Sequence, residues 1–580
     1  KSTVVFAVSK VDVEANKKST KFYQMNLDGS GKKEISNPDA IVGDASISPN
    51  GKYKMYAQEV KIDKVYGVDF YPEMKKSNMM VYNSLNYRHW DTYEDGKFSH
   101  VIIEEIATGK KTDIMEGQAF DCPQMPFGGS EDYVWGPDSK SVYYVCKKKS
   151  GTMYAVSTNT DIYKYDIATG KTTNLTPDNM GYDMSPVFSK DGSMMAYTQM
   201  KRDGYESDKN DIIVRKGGKT YNLTAKWDGT VNSFAWSNNG EKIFFTAAIE
   251  GTVHVHEISV KAHLAGKGSA PKQITEGQFD VRGILGHNKN VMIVARGDMN
   301  QATELYALDL KTNEMTQITH ENDALYKSVG LGKVEKRITK TVDGKDLHSW
   351  VIYPPNFGGP QGALSQFYSY RWNFQLMAAN GYIIIAPNRR GMPGYGVEWN
   401  EQISKDYGGL NMKDYLAAID DLSNESYVDN ERLGCVGASY GGYSAFYLAA
   451  IHDGRFKTFI AHDGIFNWQS MYGTTEELFF VNWDIGGPYW DKANALAQKG
   501  YNEFNPAERV ADWTAPIMII QGGKDYRVPI GQGLEAFQAA QLQGIKSRLL
   551  FFPEENHWVL DYQNSFIWHT EFYKWLKETL

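Results

Sequence analysis

Cysteine is scarce in this sequence. Among 580 residues there are only three, Cys122, Cys146 and Cys435, and no Cys-x-x-Cys motif occurs. So few thiols exclude a disulfide scaffold, and the missing motif argues against a structural zinc site. Cys122 and Cys146 could pair in an oxidising compartment or remain two half-buried thiols, and the sequence leaves both options open. Cys435 lies in a strand-like run and is expected in the core.

Positive charge and long apolar runs are also lacking. The net charge is −8, from 62 basic and 70 acidic residues. Nucleic-acid binding needs a basic surplus, so we expect no nucleic-acid partner. No apolar run reaches the roughly 18 residues that a membrane span requires. The chain has no initiator Met and no signal peptide, which predicts a mature or trimmed form.

Aromatic residues, by contrast, are abundant. They make up 13% of the chain, whereas the hydrophobic share of 42% and the charged share of 23% are ordinary for a folded protein. Aromatic rings pack well on pleated sheets, so this content favours extensive β-structure. The length predicts two domains or one very large one.

The first half of the chain repeats one turn signal. A small or aromatic residue, then Ser-Pro-Asp-Gly or a variant, then an apolar strand occurs from residues 47, 135, 188 and 236. The first gap is longer because it holds an insertion around residues 59–99. Several copies are followed by a second hairpin signal such as Ala-Thr-Gly-Lys at residues 107–110.

Strands and hairpins at this period are typical of a β-propeller. We therefore predict a propeller over residues 1–330, with six to eight blades and seven as the best guess. A generic all-β sandwich is the alternative, but sandwiches do not repeat their turn chemistry.

From about Lys333 the pattern changes to strands alternating with helix-length segments. This alternation predicts a mostly parallel, doubly wound sheet over residues 331–580. The strands are largely apolar, as expected when both faces of a sheet are covered.

A nucleophile-elbow motif lies in this second half. Gly437-Ala438-Ser439-Tyr440-Gly441-Gly442 follows an apolar strand and precedes a helix-like segment. The elbow turn is so tight that it needs small residues, while the serine hydroxyl must stand clear of the sheet edge. Ser439 is therefore the candidate nucleophile.

A serine nucleophile needs a base, and the base needs an orienting acid. In this fold they follow the serine in the order Asp, then His. Asp525 and His557 each come just after an apolar strand, where open α/β sheets place their active sites. Glu554 and Glu555 are rival acids, but they are too near His557 in sequence to orient it easily.

The oxyanion of an acyl-transfer intermediate needs two donors. We expect the backbone N–H of Tyr440 to be one, and the loop Gly358-Gly359-Pro360 to supply the other. Tyr353-Pro354-Pro355-Asn356-Phe357 runs straight into this loop, although the fold requires a strand between them. A dozen or so residues therefore look missing at this point.

These features resemble the prolyl oligopeptidase family of serine peptidases. The likeness covers nearly the whole chain and is most specific in Arg88-His89-Trp90-Asp91, residues 127–132, 388–391 and 470–475, and Asn556-His557-Trp558-Val559-Leu560. Within the family, these stretches are most similar to the acylaminoacyl-peptidase branch and to bacterial dipeptidyl peptidases. The shortened stretch before Gly358 departs from the pattern.

The resemblance implies a serine exopeptidase that releases dipeptides from the free N-terminus of short peptides. The propeller would cap the site and exclude folded proteins. Such an enzyme needs an anionic anchor for the substrate ammonium. Glu131 is the first choice, together with Asp132, and Asp91 and Glu94 are rivals.

Alignment on the triad points to a pocket for P1, the residue before the cleaved bond. Tyr440, Trp468, Met471 and Val528 would line it, and such apolar walls suit a small or hydrophobic P1 residue. Arg527 could donate to the carbonyl of the preceding residue. Each of these residues could equally be plain core or surface.

Several alternatives stay open. The enzyme could be an acylaminoacyl peptidase, an oligopeptidase or an esterase of the same fold, or the chain could be a propeller binding protein with an inert hydrolase domain. No metal and no cofactor are expected. The resemblance suggests the periplasm for a bacterial member with a processed signal peptide, and it leaves room for a homodimer.

Overall fold

The structure is a computed structural model that describes residues 3–125, 128–355, 357 and 372–580. Its first part, up to Gln317, is built almost entirely of antiparallel strands. In the described residues no helix has both the length and the apolar character needed to cross a membrane.

The first part contains 24 strands and four short helices. Their bounds, in chain order, are β1 Thr3–Asp12, β2 Lys17–Asn26, β3 Lys33–Ile35, α1 Asp39–Val42, β4 Tyr53–Lys61, α2 Gly67–Phe70, β5 Arg88–His89, β6 Thr92–Tyr93, β7 Lys97–Glu105, β8 Lys111–Asp113, β9 Tyr133–Trp135, β10 Ser141–Cys146, α3 Gly151–Val156, β11 Asp161–Asp166, β12 Thr172–Asn174, β13 Asp183–Phe188, β14 Met195–Gln199, β15 Asp211–Lys216, β16 Lys219–Asn222, β17 Ser233–Trp236, β18 Lys242–Ile249, β19 Thr252–Ser259, α4 Val260–Leu264, β20 Lys272–Gln273, β21 Asp280–Asn288, β22 Val291–Gly297, β23 Glu304–Asp309 and β24 Met315–Gln317.

These strands form small meandering sheets, and from the second sheet onward shared hydrophobic clusters join neighbours in chain order. The sheets are β1-β2-β3, β4-β7-β8, β9 to β12, β13 to β16, and β17 to β24, while β5 and β6 form a separate hairpin. The last sheet divides into two four-stranded units joined by one parallel contact between β19 and β21. Val4 and Met25 of the first sheet pack against Ile293 and Ile318 of the last unit. The described residues thus contain six antiparallel units.

The repeated turn signal has a common geometry. The Ser48 hydroxyl donates to the side chain of Asn50 (2.8 Å) and accepts from the backbone N–H of Tyr53 (3.0 Å), so that it ties the two arms of the hairpin together. Gly51 closes the turn at φ 71°, a conformation that favours glycine. The turns at Ser189 and Ser237 repeat the same hydroxyl bonds. Each turn therefore starts a hairpin, as the sequence predicts.

The cysteines are buried or partly buried. Cys122 and Cys146 lie in one core cluster between the second and third sheets, and both are free thiols. Cys435 is a partly buried free thiol in the second part of the chain.

The second part begins after α5 and alternates strands with helices. Its elements are α5 Asp323–Ser328, β25 Val334–Lys340, β26 Asp346–Ile352, α6 Phe374–Ala379, β27 Ile384–Pro387, α7 Val397–Glu401, α8 Leu410–Leu422, β28 Gly434–Ala438, α9 Tyr440–Ile451, β29 Thr458–His462, α10 Trp468–Thr474, α11 Leu478–Asp484, α12 Ala495–Glu503, β30 Ile517–Gly522, α13 Gly531–Leu542, β31 Ser547–Phe552 and α14 Tyr562–Thr579.

A parallel sheet with both faces covered forms the centre of this part. β28, β29, β30 and β31 pair in this order and all run parallel. Successive residues of a strand face opposite sides, so Phe459 and Ile519 pack towards α9 and α13, whereas Ile460 and Ile520 pack towards α14. This explains the apolar strands and places the carboxyl ends of all four strands at one edge.

The sheet is interrupted between β27 and β28. β25, β26 and β27 form a separate antiparallel sheet, and the described residues show no pairing between β27 and β28. A largely apolar cavity of about 410 Å³, here called the sheet cavity, is lined by both strands together with α8 and α14. That residues are missing before Gly358 stays a prediction. The loop Gly358-Gly359-Pro360 lies outside the described residues.

Filling the sheet cavity should stabilise the protein. Cys435 on β28 lines this cavity, so Cys435→Leu would bury extra methylene groups there without displacing a polar contact. We expect a gain of about 1 kcal/mol in the free energy of unfolding. The gain is measured as a higher midpoint of urea unfolding, with Cys435→Ala as the matched control, which should lower the midpoint. A lower midpoint for the leucine variant would contradict a fillable cavity.

Candidate active site

Ser439 stands on a strained turn between β28 and α9. Its backbone has φ 55° and ψ −117°, a conformation that non-glycine residues rarely adopt. The turn is tight on both sides, because a Cβ on Gly437 would lie 2.3 Å from the carbonyl oxygen of Gly441, and one on Gly442 would lie 2.6 Å from that of His462. Only glycine fits at these positions, which is why the motif is rich in it.

The start of α9 offers backbone donors next to this serine. The N–H of Ser439 donates to the carbonyl of His462 (2.8 Å), which joins the elbow to the end of β29. Tyr440 is the first residue of α9, where backbone N–H groups have no acceptor within the helix and the helix dipole favours negative charge. This is the geometry that a developing oxyanion requires.

Asp525 and His557 meet at the same edge of the sheet. They lie on the segments that follow β30 and β31, and Nδ1 of His557 is 2.7 Å from Oδ2 of Asp525. The other oxygen of Asp525 accepts from the backbone N–H of Val528 (2.8 Å). Both side chains are buried, so the pair is shielded from water and held in one orientation.

The charges around this pair shift both pKa values. Burial raises the pKa of Asp525 to about 6, although the nearby imidazole of His557 opposes this shift. Burial alone would lower the pKa of His557, but the carboxylates of Asp525 and Asp463 outweigh it, so the pKa is raised above 6.5. The two carboxylates thus stabilise the protonated imidazole of His557.

Ser439 opens into a cavity of about 240 Å³, here called the serine cavity. Its walls come from both parts of the chain, because the loop between β14 and β15 contributes Glu206 and Ser207. The sequence-predicted binding residues that line it are Tyr440, Met471, Arg527 and Val528. Trp468 does not line it. That side chain is fully buried behind the wall and donates to the carbonyl of Phe504 (3.1 Å).

The two carboxylates predicted as the anchor lie elsewhere. Glu131 and Asp132 belong to a short 3-10 turn before β9, not to a strand, and neither lines the serine cavity. Glu131 is exposed, and Asp132 is buried and accepts from the backbone N–H of Gln124 (2.9 Å). The prediction relied on neighbouring acidic residues and could not reveal which way the turn faces.

Three other carboxylates gather around Arg527 instead. Its guanidinium donates to Glu477 and lies 3.9 Å from Glu476. Glu206 faces the same guanidinium across the serine cavity, and Arg527 opposes the rise in pKa that burial imposes on Glu206. No sequence motif marks Glu206, and its loop carries no repeat or glycine pattern that could have drawn attention to it.

Glu206 is the carboxylate that is open to the cavity. Among the described residues it has no hydrogen bond and no ion pair within 4 Å. The residue is exposed, and it lines the serine cavity. Its loop is held against the second part of the chain by stacking of Tyr205 on Trp483, with ring centroids 4.6 Å apart.

The β5–β6 hairpin reaches the segments that carry Asp525 and His557. The β5–β6 hairpin places the Trp90 ring against His557 and Trp558, with centroids 6.0 and 5.0 Å away. The carbonyl of Trp90 accepts from the N–H of Tyr526 (3.1 Å), and Asp91 accepts from the side chain of Asn556 (2.8 Å). The hairpin thus braces the segments that carry Asp525 and His557. Asp91 is engaged in this contact.

Removing the Trp90 ring should loosen the catalytic loops. We expect Trp90→Ala to lower kcat about tenfold, because small displacements of catalytic groups are costly, while the protein stays folded. Trp90→Phe keeps an aromatic ring against His557 and should retain most of the rate. Steady-state kinetics of the two variants measure this, and an unchanged kcat in Trp90→Ala would show that the bracing is dispensable.

The fold and this site together define a serine hydrolase with an α/β catalytic domain. Residues 368–580 match the sequence model of the prolyl oligopeptidase family, and residues 205–348 match that of the dipeptidyl peptidase IV N-terminal region. The dipeptidyl-peptidase 5 of Porphyromonas gingivalis is 39% identical over an alignment of 642 residues, which covers 100% of this chain and 92% of that protein.

Solved structures with the same fold are more distant in sequence. An acylaminoacyl peptidase of Pyrococcus horikoshii superimposes with a TM-score of 0.80 at 19% identity, over 100% of this chain and 94% of the other. The dipeptidyl peptidase 4 of Porphyromonas gingivalis gives a TM-score of 0.63 at 15% identity, over 99% and 81%.

The chain therefore belongs to the prolyl oligopeptidase family, within its bacterial dipeptidyl peptidase branch, and is a serine peptidase. The family resemblance drawn from the motifs is confirmed, as is the expectation of a hydrolase domain preceded by an N-terminal β-region.

Proposed function

We propose that this serine peptidase releases dipeptides from the free N-terminus of oligopeptides, with a small or hydrophobic P1 residue. The observation that carries the proposal is that Ser439 and the open carboxylate of Glu206 line the same cavity. A nucleophile and an anionic anchor in one small cavity set the distance between the substrate ammonium and the cleaved bond. The 39% identical dipeptidyl-peptidase 5 supports the same activity.

The reaction proceeds through an acyl-enzyme. Ser439 attacks the substrate carbonyl while His557 accepts the hydroxyl proton and later gives it to the leaving amine. Asp525, bound to Nδ1 of His557, holds the imidazole in the required tautomer and stabilises the imidazolium. The N–H of Tyr440 stabilises the oxyanion. Water then hydrolyses the ester of Ser439 by the same proton transfers in reverse.

Glu206 takes the role of anchor that the sequence analysis assigned to Glu131. The carboxylates of Glu206, Glu476 and Glu477 surround one guanidinium, so the serine cavity favours an additional cation. A substrate ammonium would pair with Glu206 and lower its raised pKa. Arg527, held by Glu477, would remain to donate to the substrate backbone.

The walls near Ser439 suit an apolar P1 side chain. Tyr440, Met471, Val528 and Phe480 supply carbon surface there. Asp484 also reaches this cavity, and burial raises its pKa to about 7. These apolar side chains favour a small or hydrophobic P1 residue, and the carboxyl group of Asp484, about half ionised at neutral pH, disfavours an acidic one.

The six antiparallel units would then act as a cap. We propose that they are the blades of a propeller, in line with their order of packing and the contact of the first unit with the last. A cap of this kind admits peptides and excludes folded proteins. A periplasmic location and a homodimer remain predictions, which cell fractionation and the mass of the protein in solution would test.

A panel of dipeptidyl chromogenic amides, each in free and N-acetylated form, tests the proposal. We expect hydrolysis of the free forms and a large loss of rate on acetylation. Faster hydrolysis of the acetylated forms would instead identify an acylaminoacyl peptidase. The pH profile adds a second criterion, because kcat/KM for free substrates should fall above about pH 8 as the substrate amine loses its proton.

A further inference from the structure

A second carboxylate lies beside the catalytic pair. Asp463 follows β29 directly and is buried, with 1% of its surface exposed. One polar atom of each of Asp463, Asp525 and His557 lies within 4.8 Å of the other two. The sequence analysis did not single out this residue, and the mechanism above assigns it no role.

The backbone at Asp463 is held in an unfavourable conformation. Its φ is 46°, in the left-handed region that costs non-glycine residues free energy. Two hydrogen bonds maintain it, since its N–H donates to Ile520 (2.9 Å) and its Oδ1 accepts from the N–H of Gly522 (3.0 Å). Glycine would relieve the strain at this position, so the carboxylate must contribute something that glycine lacks.

The segment that carries Asp463 contacts the ends of the two neighbouring strands, β28 and β30. The preceding residue, His462, accepts the N–H of Ser439 (2.8 Å), and Asp463 itself binds the end of β30. Gly464 packs against Gly442 of the elbow. The carboxylate is thereby placed rigidly with respect to the nucleophile, the base and the acid.

We infer that Asp463 is a positioning residue of the catalytic machinery, whose negative charge acts with that of Asp525 to stabilise the protonated form of His557. The inference rests on the proposed serine mechanism and extends it from one acid to two. Asp463 contacts no substrate atom in this scheme and acts only through the imidazole.

The other charged groups near His557 do not duplicate this role. Arg527, from the segment after β30, opposes protonation of the imidazole. On the side of the β5–β6 hairpin, the Trp90 ring that packs against His557 carries no charge, and Asp91 accepts a hydrogen bond from Asn556. His462 pairs with the outer oxygen of Asp463 (2.9 Å), and Glu476 lies behind Asp525, next to Arg527. Asp525 and Asp463 are therefore the two carboxylates that favour the imidazolium.

The test is the variant Asp463→Asn, which removes the charge but can still accept from Gly522. The rate at which a fluorophosphonate labels Ser439 is measured against pH, since this readout does not depend on the peptide substrate. We expect the midpoint of the acid limb to move down by about one pH unit, because a lost negative charge lowers the pKa of His557. The plateau rate should fall roughly threefold to tenfold, since the imidazole becomes a weaker base.

Asp453→Asn is the matched control. Asp453 also has a positive φ (49°), but it is exposed on a turn after α9. Its labelling profile should coincide with that of the wild type. If Asp463→Asn folds and the midpoint of its acid limb is unchanged, the inference is overturned, whatever the plateau rate. Asp463 would then have only a structural role.

Two further outcomes are decisive. If Asp463→Asn does not fold, the pair Asp463→Glu and Asp463→Gln replaces it, and equal midpoints in that pair would overturn the inference. If the wild type is not labelled at all, the serine mechanism itself is overturned. If the wild type is labelled and the variant has an unshifted midpoint, only the inference about Asp463 is overturned.

Discussion

Replacing Ser439 by alanine should abolish peptide hydrolysis. Without the hydroxyl no acyl-enzyme forms, and the remaining groups can only assist the direct attack of water. We expect kcat to fall by roughly 10⁴-fold or more, while peptide affinity stays near its original value because the serine cavity keeps its walls. Hydrolysis of a free dipeptidyl amide and binding of an uncleaved peptide measure the two quantities.

Ser444 supplies the control for this substitution. It lies one turn further along α9, where its hydroxyl donates to the carbonyl of Tyr440 (2.9 Å). Ser444→Ala also removes a serine hydroxyl, from the helix that follows the elbow, and should change kcat by no more than about twofold. Near-normal hydrolysis by Ser439→Ala would show that another group is the nucleophile.

Neutralising Glu206 should separate substrates by their N-termini. In Glu206→Gln an amide replaces the carboxylate that we assign to the substrate ammonium. The loss of a charged hydrogen bond costs about 1.5–3 kcal/mol, so kcat/KM for free dipeptidyl amides should fall by roughly 10- to 100-fold. The N-acetylated amides have no ammonium and should be hydrolysed at an unchanged, slow rate.

Glu131→Gln makes the decisive comparison with this variant. The sequence analysis assigned the anchor to Glu131, whereas the structure places that residue outside the serine cavity. We expect Glu131→Gln to leave kcat/KM for free amides unchanged. A loss in Glu131→Gln together with normal kinetics in Glu206→Gln would restore the sequence-based assignment.

The proposed triad could be predicted from local patterns because each member has a local signature. Ser439 lies in a tight turn whose flanking positions accept only glycine. Asp525 and His557 each follow an apolar strand of the parallel sheet. Parallel strands bring their carboxyl ends to one edge, so a position after a strand already implies proximity in space.

The proposed anchor, the β5–β6 hairpin and Asp463 were not predicted, for a different physical reason. Glu206 and Trp90 acquire their roles only when the first part of the chain packs against the second, through contacts such as Tyr205 on Trp483. Asp463 acquires its role from a left-handed turn that sequence patterns do not indicate.

By itself the sequence determined the two-part architecture, the family and the candidate nucleophile, base and acid, because these depend on periodicity, turn chemistry and position along strands. Only the tertiary structure decided which carboxylates face the serine and which merely cap a turn. The strength of an electrostatic interaction depends on distance and burial. Both are set only when remote segments of the chain pack together.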